Sequence, residues 1–206
     1  MFVAELFESA IQKTVVILPG GFHPFHPGHL SLYTSAQKQF PAADIYYAST
    51  NDKSQRPFDF ADKQILATIA GVPAGRFVQV KSPFQAKEIV DKYDPATTAV
   101  IFARSAKDKD EPPFAGGVKK DGNASYLQLF KGNPAPASQH AYMAYLPVLP
   151  FKAGASGITS ATQIREKWPT ADAAGKMQIA SDLYPASPKV AAKILDKYIS
   201  EGMYVN

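Results

Sequence analysis

Short apolar runs rich in β-branched residues alternate with segments of helical period along most of the chain. The first run, 15–18, breaks at Pro19-Gly20-Gly21. After a turn rich in His and Pro the pattern becomes helical from about Pro27, with apolar positions at Leu30, Leu32, Tyr33 and Ala36. Residues 44–49 read as a second strand. Asp59 is placed to N-cap a helix through Ile69 that stops at Gly71 and Pro73. Residues 77–80 form a short third strand. Ser82-Pro83 has the cap and first-turn proline of a helix start, followed by Ala86, Ile89, Val90 and Tyr93. Residues 98–103 read as a buried fourth strand and 141–148 as a fifth, with 126–130 between them as a small hairpin arm. Strands and helices alternating through short connections predict a right-handed parallel α/β sheet.

The segments that interrupt this rhythm divide the chain. Residues 1–13 hold an amphipathic pattern with Phe2, Val3, Leu6, Phe7, Ala10 and Ile11 on one side. Such a helix suits either the domain's own surface or docking to an assembly partner or a second copy. The main α/β domain then spans 14–168, with an insertion at 104–137, and 169–206 supplies C-terminal helices packed on the same domain. The polar, Gly- and Pro-rich stretch 104–125 follows the carboxyl end of the fourth strand, where a long loop serves as a ligand lid. Arg104, Lys107 and Asp108 stand nearest that strand end. Asn51, Arg56 and Lys63 belong to the corresponding rim after the second strand, and all six are candidate substrate-binding residues.

Composition removes several classes of function. With 46% hydrophobic residues in 206, the chain has enough apolar material for one sizeable core. No apolar run approaches the ~20 residues needed to span a bilayer, so no membrane role is expected. The absence of cysteine removes thiolate nucleophiles and zinc–sulfur sites and suits a cytoplasmic setting. A net charge of +4 suits polyanionic small molecules and, with no nucleic-acid-binding motif, makes a nucleic-acid partner the weaker expectation.

The chemistry concentrates in the first turn. Three of the four histidines, His23, His26 and His29, fall within it, and His26 and His29 share a face in a first helical turn. A helix N-terminus carries free N–H donors and a partial positive charge, which favours anions and keeps a nearby imidazole neutral while it still donates one hydrogen bond. His26-x-x-His29 alone lacks the three or four ligands a zinc site needs, so no resident metal is expected.

G-F-H-P-F-H-P-G-H at 21–29 resembles the HxGH signature of the nucleotidylyltransferase superfamily, and is most similar to nicotinamide-mononucleotide adenylyltransferases. Gly21 and His23 stand where that family has Arg and Gln. A second segment, Ser160-Ala161-Thr162-Gln163-Ile164-Arg165, is similar to the I-S-S-T-x-I-R motif that closes the same active site. Compact phage-encoded nucleotidyltransferases look broadly similar too. The expected fold is a Rossmann-like, doubly wound, five-stranded parallel sheet of order 3-2-1-4-5 with helices on both faces. The resemblance implies transfer of a nucleoside monophosphate from a triphosphate, ATP above all, to a phosphorylated acceptor such as nicotinamide mononucleotide. Magnesium would arrive on the triphosphate. It further implies that His26, His29 and Arg165 are catalytic, and that Gly20, Gly21, Phe22, His23, Gly28, Ser160 and Thr162 hold the nucleotide. Two alternatives stay open: a nucleotide-binding assembly module without turnover, and a cytidylyltransferase acting on a polyol or sugar phosphate.

Overall fold

In the computed structural model, residues 11–52 and 57–199 are described. The elements run β1 (Lys13–Pro19), α1 (Pro27–Gln39), β2 (Asp44–Ser49), α2 (Phe60–Ala70), β3 (Phe77–Gln79), α3 (Lys87–Val90), β4 (Thr98–Ser105), β5 (Leu127–Leu129), β6 (Ala141–Leu146), α4 (Ala161–Lys167), α5 (Ala173–Leu183) and α6 (Pro188–Ile199). The strands form one all-parallel sheet in the order β3-β2-β1-β4-β6-β5. This is the expected Rossmann-like α/β architecture with one strand more than the five expected. The additional strand comes from the insertion. Residues 127–129 do not make a hairpin arm; they lie parallel to β6 at the sheet edge, with Leu127 opposite Ala141.

Because successive side chains of a strand point to opposite faces, the central strands feed two cores. Val16 and Leu18 of β1 join Ile45, Tyr47 and Ile101 beneath α1, α2 and the C-terminal helices. Val15 and Ile17 join Val100, Phe102 and Met143 on the other face. Val15 to Leu18 are at most 1% exposed, as expected for a central strand buried on both sides. The C-terminal helices belong to the first core: Trp168, Tyr184 and Leu195 are fully buried, and the Trp168 indole donates to Asp196 at 3.0 Å. Among the described residues no helix is long and apolar enough to cross a membrane.

The other face carries less helix than the sequence suggests. The segment opened by Ser82-Pro83 is a turn, closed by the Ala86 N–H on the Ser82 carbonyl at 2.7 Å. Ala86 then adopts a left-handed φ of 44°, and helix follows only from Lys87 to Val90. The periodicity at Ala86 and Ile89 records burial against the sheet, where both are fully covered, not a continuous helix. Asp59 occupies the N-cap position of α2 without capping it. Its carboxylate lies 2.9 Å from the Tyr198 hydroxyl of α6, and Asn51 Oδ1 accepts the first helical N–H, from Phe60, at 2.8 Å. The amphipathic pattern in the first dozen residues lies almost wholly outside the described residues.

Candidate active site

β1 pairs with β2 on one side and β4 on the other, so the strand order reverses at its carboxyl end. That reversal opens the crevice in which doubly wound sheets bind ligands. A cleft of about 570 Å³ occupies it, within the range of small-molecule sites. Gly20, Gly21, Phe22, His26, Gly28 and His29 form its floor; Arg104, Lys107 and Asp108 come from the end of β4, and Ser160 from the start of α4. Two sequence segments far apart in the chain therefore meet at one place.

The floor is built by close approach. The Phe22 ring folds back over Gly20, where a Cβ would stand 2.7 Å from it. Phe22 itself holds a left-handed φ of 55°, a conformation costing on the order of 1–3 kcal/mol in a non-glycine residue. Ring contacts with Phe25, Tyr47 and Phe77 keep it there, and its edge meets His29 at 5.0 Å. A strained residue in the floor of a cleft is a common mark of a working site.

His26 and His29 stack, with ring centroids 3.7 Å apart and planes 19° from parallel. Phe151 covers the outer face of His26 at 4.8 Å. Gly28 makes the stack possible, since a Cβ there would lie 3.0 Å from His26 Cε1 and 3.3 Å from the Phe151 ring. The His26 backbone N–H donates to His29 Nδ1 at 3.2 Å, so the neutral ring carries its proton on Nε2. The Tyr47 hydroxyl holds the His29 carbonyl at 2.8 Å. Burial lowers the His26 pKa to about 4. Burial, reinforced by the neighbouring His26 and His23, holds His29 well below its ordinary value. Both rings are neutral at pH 7, and His26 Nδ1 is buried without a hydrogen-bond partner among the described residues.

Arg165, one turn into α4, bridges the two motifs. Its guanidinium donates to the His23 carbonyl at 2.5 Å and to Thr162 Oγ1 at 3.2 Å. It ties α4 to the histidine turn; neither it nor Thr162 lines the cleft. Ser160 caps α4 by accepting from the Gln163 N–H at 3.2 Å. His23 packs edge-on against Phe58 and is 7% exposed, away from the cleft. Lys63 is fully buried, its Nζ donating to the Thr50 carbonyl at 2.9 Å beneath the rim. Asn51, the cap of α2, also stands outside the cleft, and Arg56 lies outside the described residues.

Arg104 is 9% exposed. It donates to the Glu111 and Pro112 carbonyls at 2.9 and 3.3 Å and to Glu111 Oε2 at 3.2 Å. Its guanidinium lies over the Phe84 ring. Burial holds the Asp108 carboxyl above its ordinary value against the pull of Arg104. Phe84, Glu111 and Phe151 are cleft residues that sequence patterning did not single out. Phe151 alone offered a signal, by following the strand at 141–146 onto the ligand rim.

Among the described residues no group of three or more His, Asp or Glu could hold a metal ion. Compared with models of known protein families and with curated protein sequences, the chain matches none.

Proposed function

We propose that this protein is a nucleotidylyltransferase that transfers a nucleoside monophosphate, AMP by preference, to a phosphorylated small molecule. The observation that carries the reading is the stacked, neutral His26–His29 pair at the N-terminus of the 13-residue α1, on the floor of a cleft at the sheet's reversal point. The resemblance of 21–29 and 160–165 to that superfamily's two motifs supports it.

An acceptor phosphate oxygen attacks the α-phosphorus; the bond from that phosphorus to the α,β-bridging oxygen breaks, and pyrophosphate leaves. The acceptor is already anionic, so the protein needs neither a nucleophile nor a strong base. It must position two anions and stabilise charge that builds on the departing phosphates. The neutral imidazoles donate hydrogen bonds without a counter-ion, the Gly28 N–H in the first turn of α1 adds a donor, and Gly21, which lines the cleft, puts no side chain between the triphosphate and the backbone. Magnesium accompanies the triphosphate as part of the substrate. Nicotinamide mononucleotide, giving NAD, is the acceptor the resemblance favours.

The test is pyrophosphate release with magnesium, ATP or CTP, and a panel of nicotinamide mononucleotide, nicotinate mononucleotide, phosphopantetheine and polyol phosphates. Turnover with one pair supports the reading and names the acceptor. Triphosphate binding without turnover on any acceptor would replace it with the non-catalytic assembly reading. That second reading is favoured by Arg165, whose fork is occupied by His23 and Thr162.

A further inference from the structure

We propose that Arg104 is the receptor for the acceptor's phosphate monoester, and that Glu111 holds its place with a carboxylate until the acceptor arrives. The assignment of that phosphate to the acceptor rests on the nucleotidyl-transfer reading; the anion site itself does not.

The two ends of the Arg104–Glu111 pair are unequally buried. The Arg104 side chain is 10% exposed and walls the cleft, whereas the Glu111 side chain is 68% exposed. Two of the guanidinium's hydrogen bonds go to backbone carbonyls, of Glu111 and Pro112, and the Phe84 ring lies beneath it. Those contacts fix the fork in place. The third goes to the Glu111 carboxylate at 3.2 Å, and that contact is exchangeable. A carboxylate mostly in water is released at little cost, as exposed ion pairs contribute little, while a buried guanidinium requires an anion beside it. The Nη2 arm that donates to the carboxylate can donate to a phosphate oxygen in its place while Nη1 stays on the carbonyls. Lys107 brings a second cation to this wall, and Asp108 and Glu111 are the carboxylates facing it.

The location selects the acceptor over the triphosphate. Arg104 is the penultimate residue of β4, the strand beside β1, whose own end leads into the histidine turn. Two anion sites on adjacent strand ends suit an in-line transfer, with the triphosphate over α1 and the attacking phosphate over β4.

The test follows the guanidinium N–H signals of Arg104 by nitrogen-15 NMR while inorganic phosphate is titrated into the full chain, with the signals assigned by their loss in Arg104→Lys. Phosphate should shift them in the wild type, and Glu111→Gln should tighten phosphate binding about fivefold by removing the competing carboxylate. Unmoved Arg104 signals, or equal affinity in Glu111→Gln, would overturn the proposal. Because this titration needs neither triphosphate nor turnover, its result is independent of the pyrophosphate assay. Where that assay is positive, Glu111→Gln should lower the acceptor KM and leave the triphosphate KM unchanged. A shift confined to the triphosphate KM would overturn the assignment to the acceptor.

Discussion

The hydroxyl of Tyr184 donates to the backbone carbonyl of Phe25, 159 positions earlier in the chain. Tyr184 is fully buried at the end of α5, and burial pushes its phenol well above its ordinary value, so it serves only as a neutral donor. Tyr184→Phe leaves that carbonyl without its donor, which should cost about 1–3 kcal/mol. Urea unfolding should show a lower midpoint at unchanged slope.

The histidine pair sets a pH dependence of definite sign. With His26 at about 4 in the fold and near 6.5 unfolded, the unfolded chain binds more protons between those values. Stability from this group is therefore complete above about pH 6.5 and is lost as pH falls toward 4, on the order of 3 kcal/mol in all. His29, also held well below its ordinary value, extends the loss in the same direction. Proton NMR should show neither ring titrating between pH 8 and 6, and an ordinary titration midpoint for either would contradict the stacked geometry.

Gly28→Ala separates stability from activity. Alanine favours a helix over glycine by about 1 kcal/mol, but its methyl would meet His26 and Phe151 and open the stack. Thermal stability should hold while pyrophosphate release falls at least about tenfold, a loss of ~1.4 kcal/mol in transition-state stabilisation.

His29→Ala removes one preorganised donor. Turnover should fall about 10²-fold, with the far-ultraviolet circular dichroism unchanged. Full activity in this variant would remove the histidines from the mechanism.

Lys63→Met tests whether a buried cation is structural. The Thr50 carbonyl loses its 2.9 Å donor and keeps the longer one from Ser49 Oγ at 3.5 Å, costing about 1–3 kcal/mol of stability. Triphosphate affinity should stay within about threefold, under ~0.7 kcal/mol, because Lys63 does not line the cleft. Calorimetric titration against denaturant unfolding separates the two.

What the sequence disclosed, and what it withheld, follows from the range of the forces involved. β1, β2 and β4 are buried on both faces, so their apolar runs could be read directly, and the Pro–Gly break before α1 marked the turn. β5 has three residues and one partner strand, with Leu129 exposed, and leaves no periodic signal. Ala86 followed a helical pattern yet takes a left-handed φ, because its burial is dictated by the sheet beneath it. Asp59 had the chemistry of a cap, but Tyr198, 139 positions away, is its partner. Similarly, Arg165 has the motif position of a phosphate ligand, and only the fold reveals that the His23 carbonyl lies within its reach. Local patterns record burial and turns; partners distant in sequence do not leave a local trace.

The contact from Tyr184 to Phe25 also sets an order of events on the ribosome. The histidine turn is made before the side chain that braces it, which follows 159 residues later. At typical elongation rates of 5–20 residues per second, that is a delay of roughly 8–30 s. Throughout that interval the nascent chain carries the histidine turn without its brace. The turn is braced only when the end of α5 docks, so a chain terminated before Tyr184 keeps the histidine motif but not the seat that holds it.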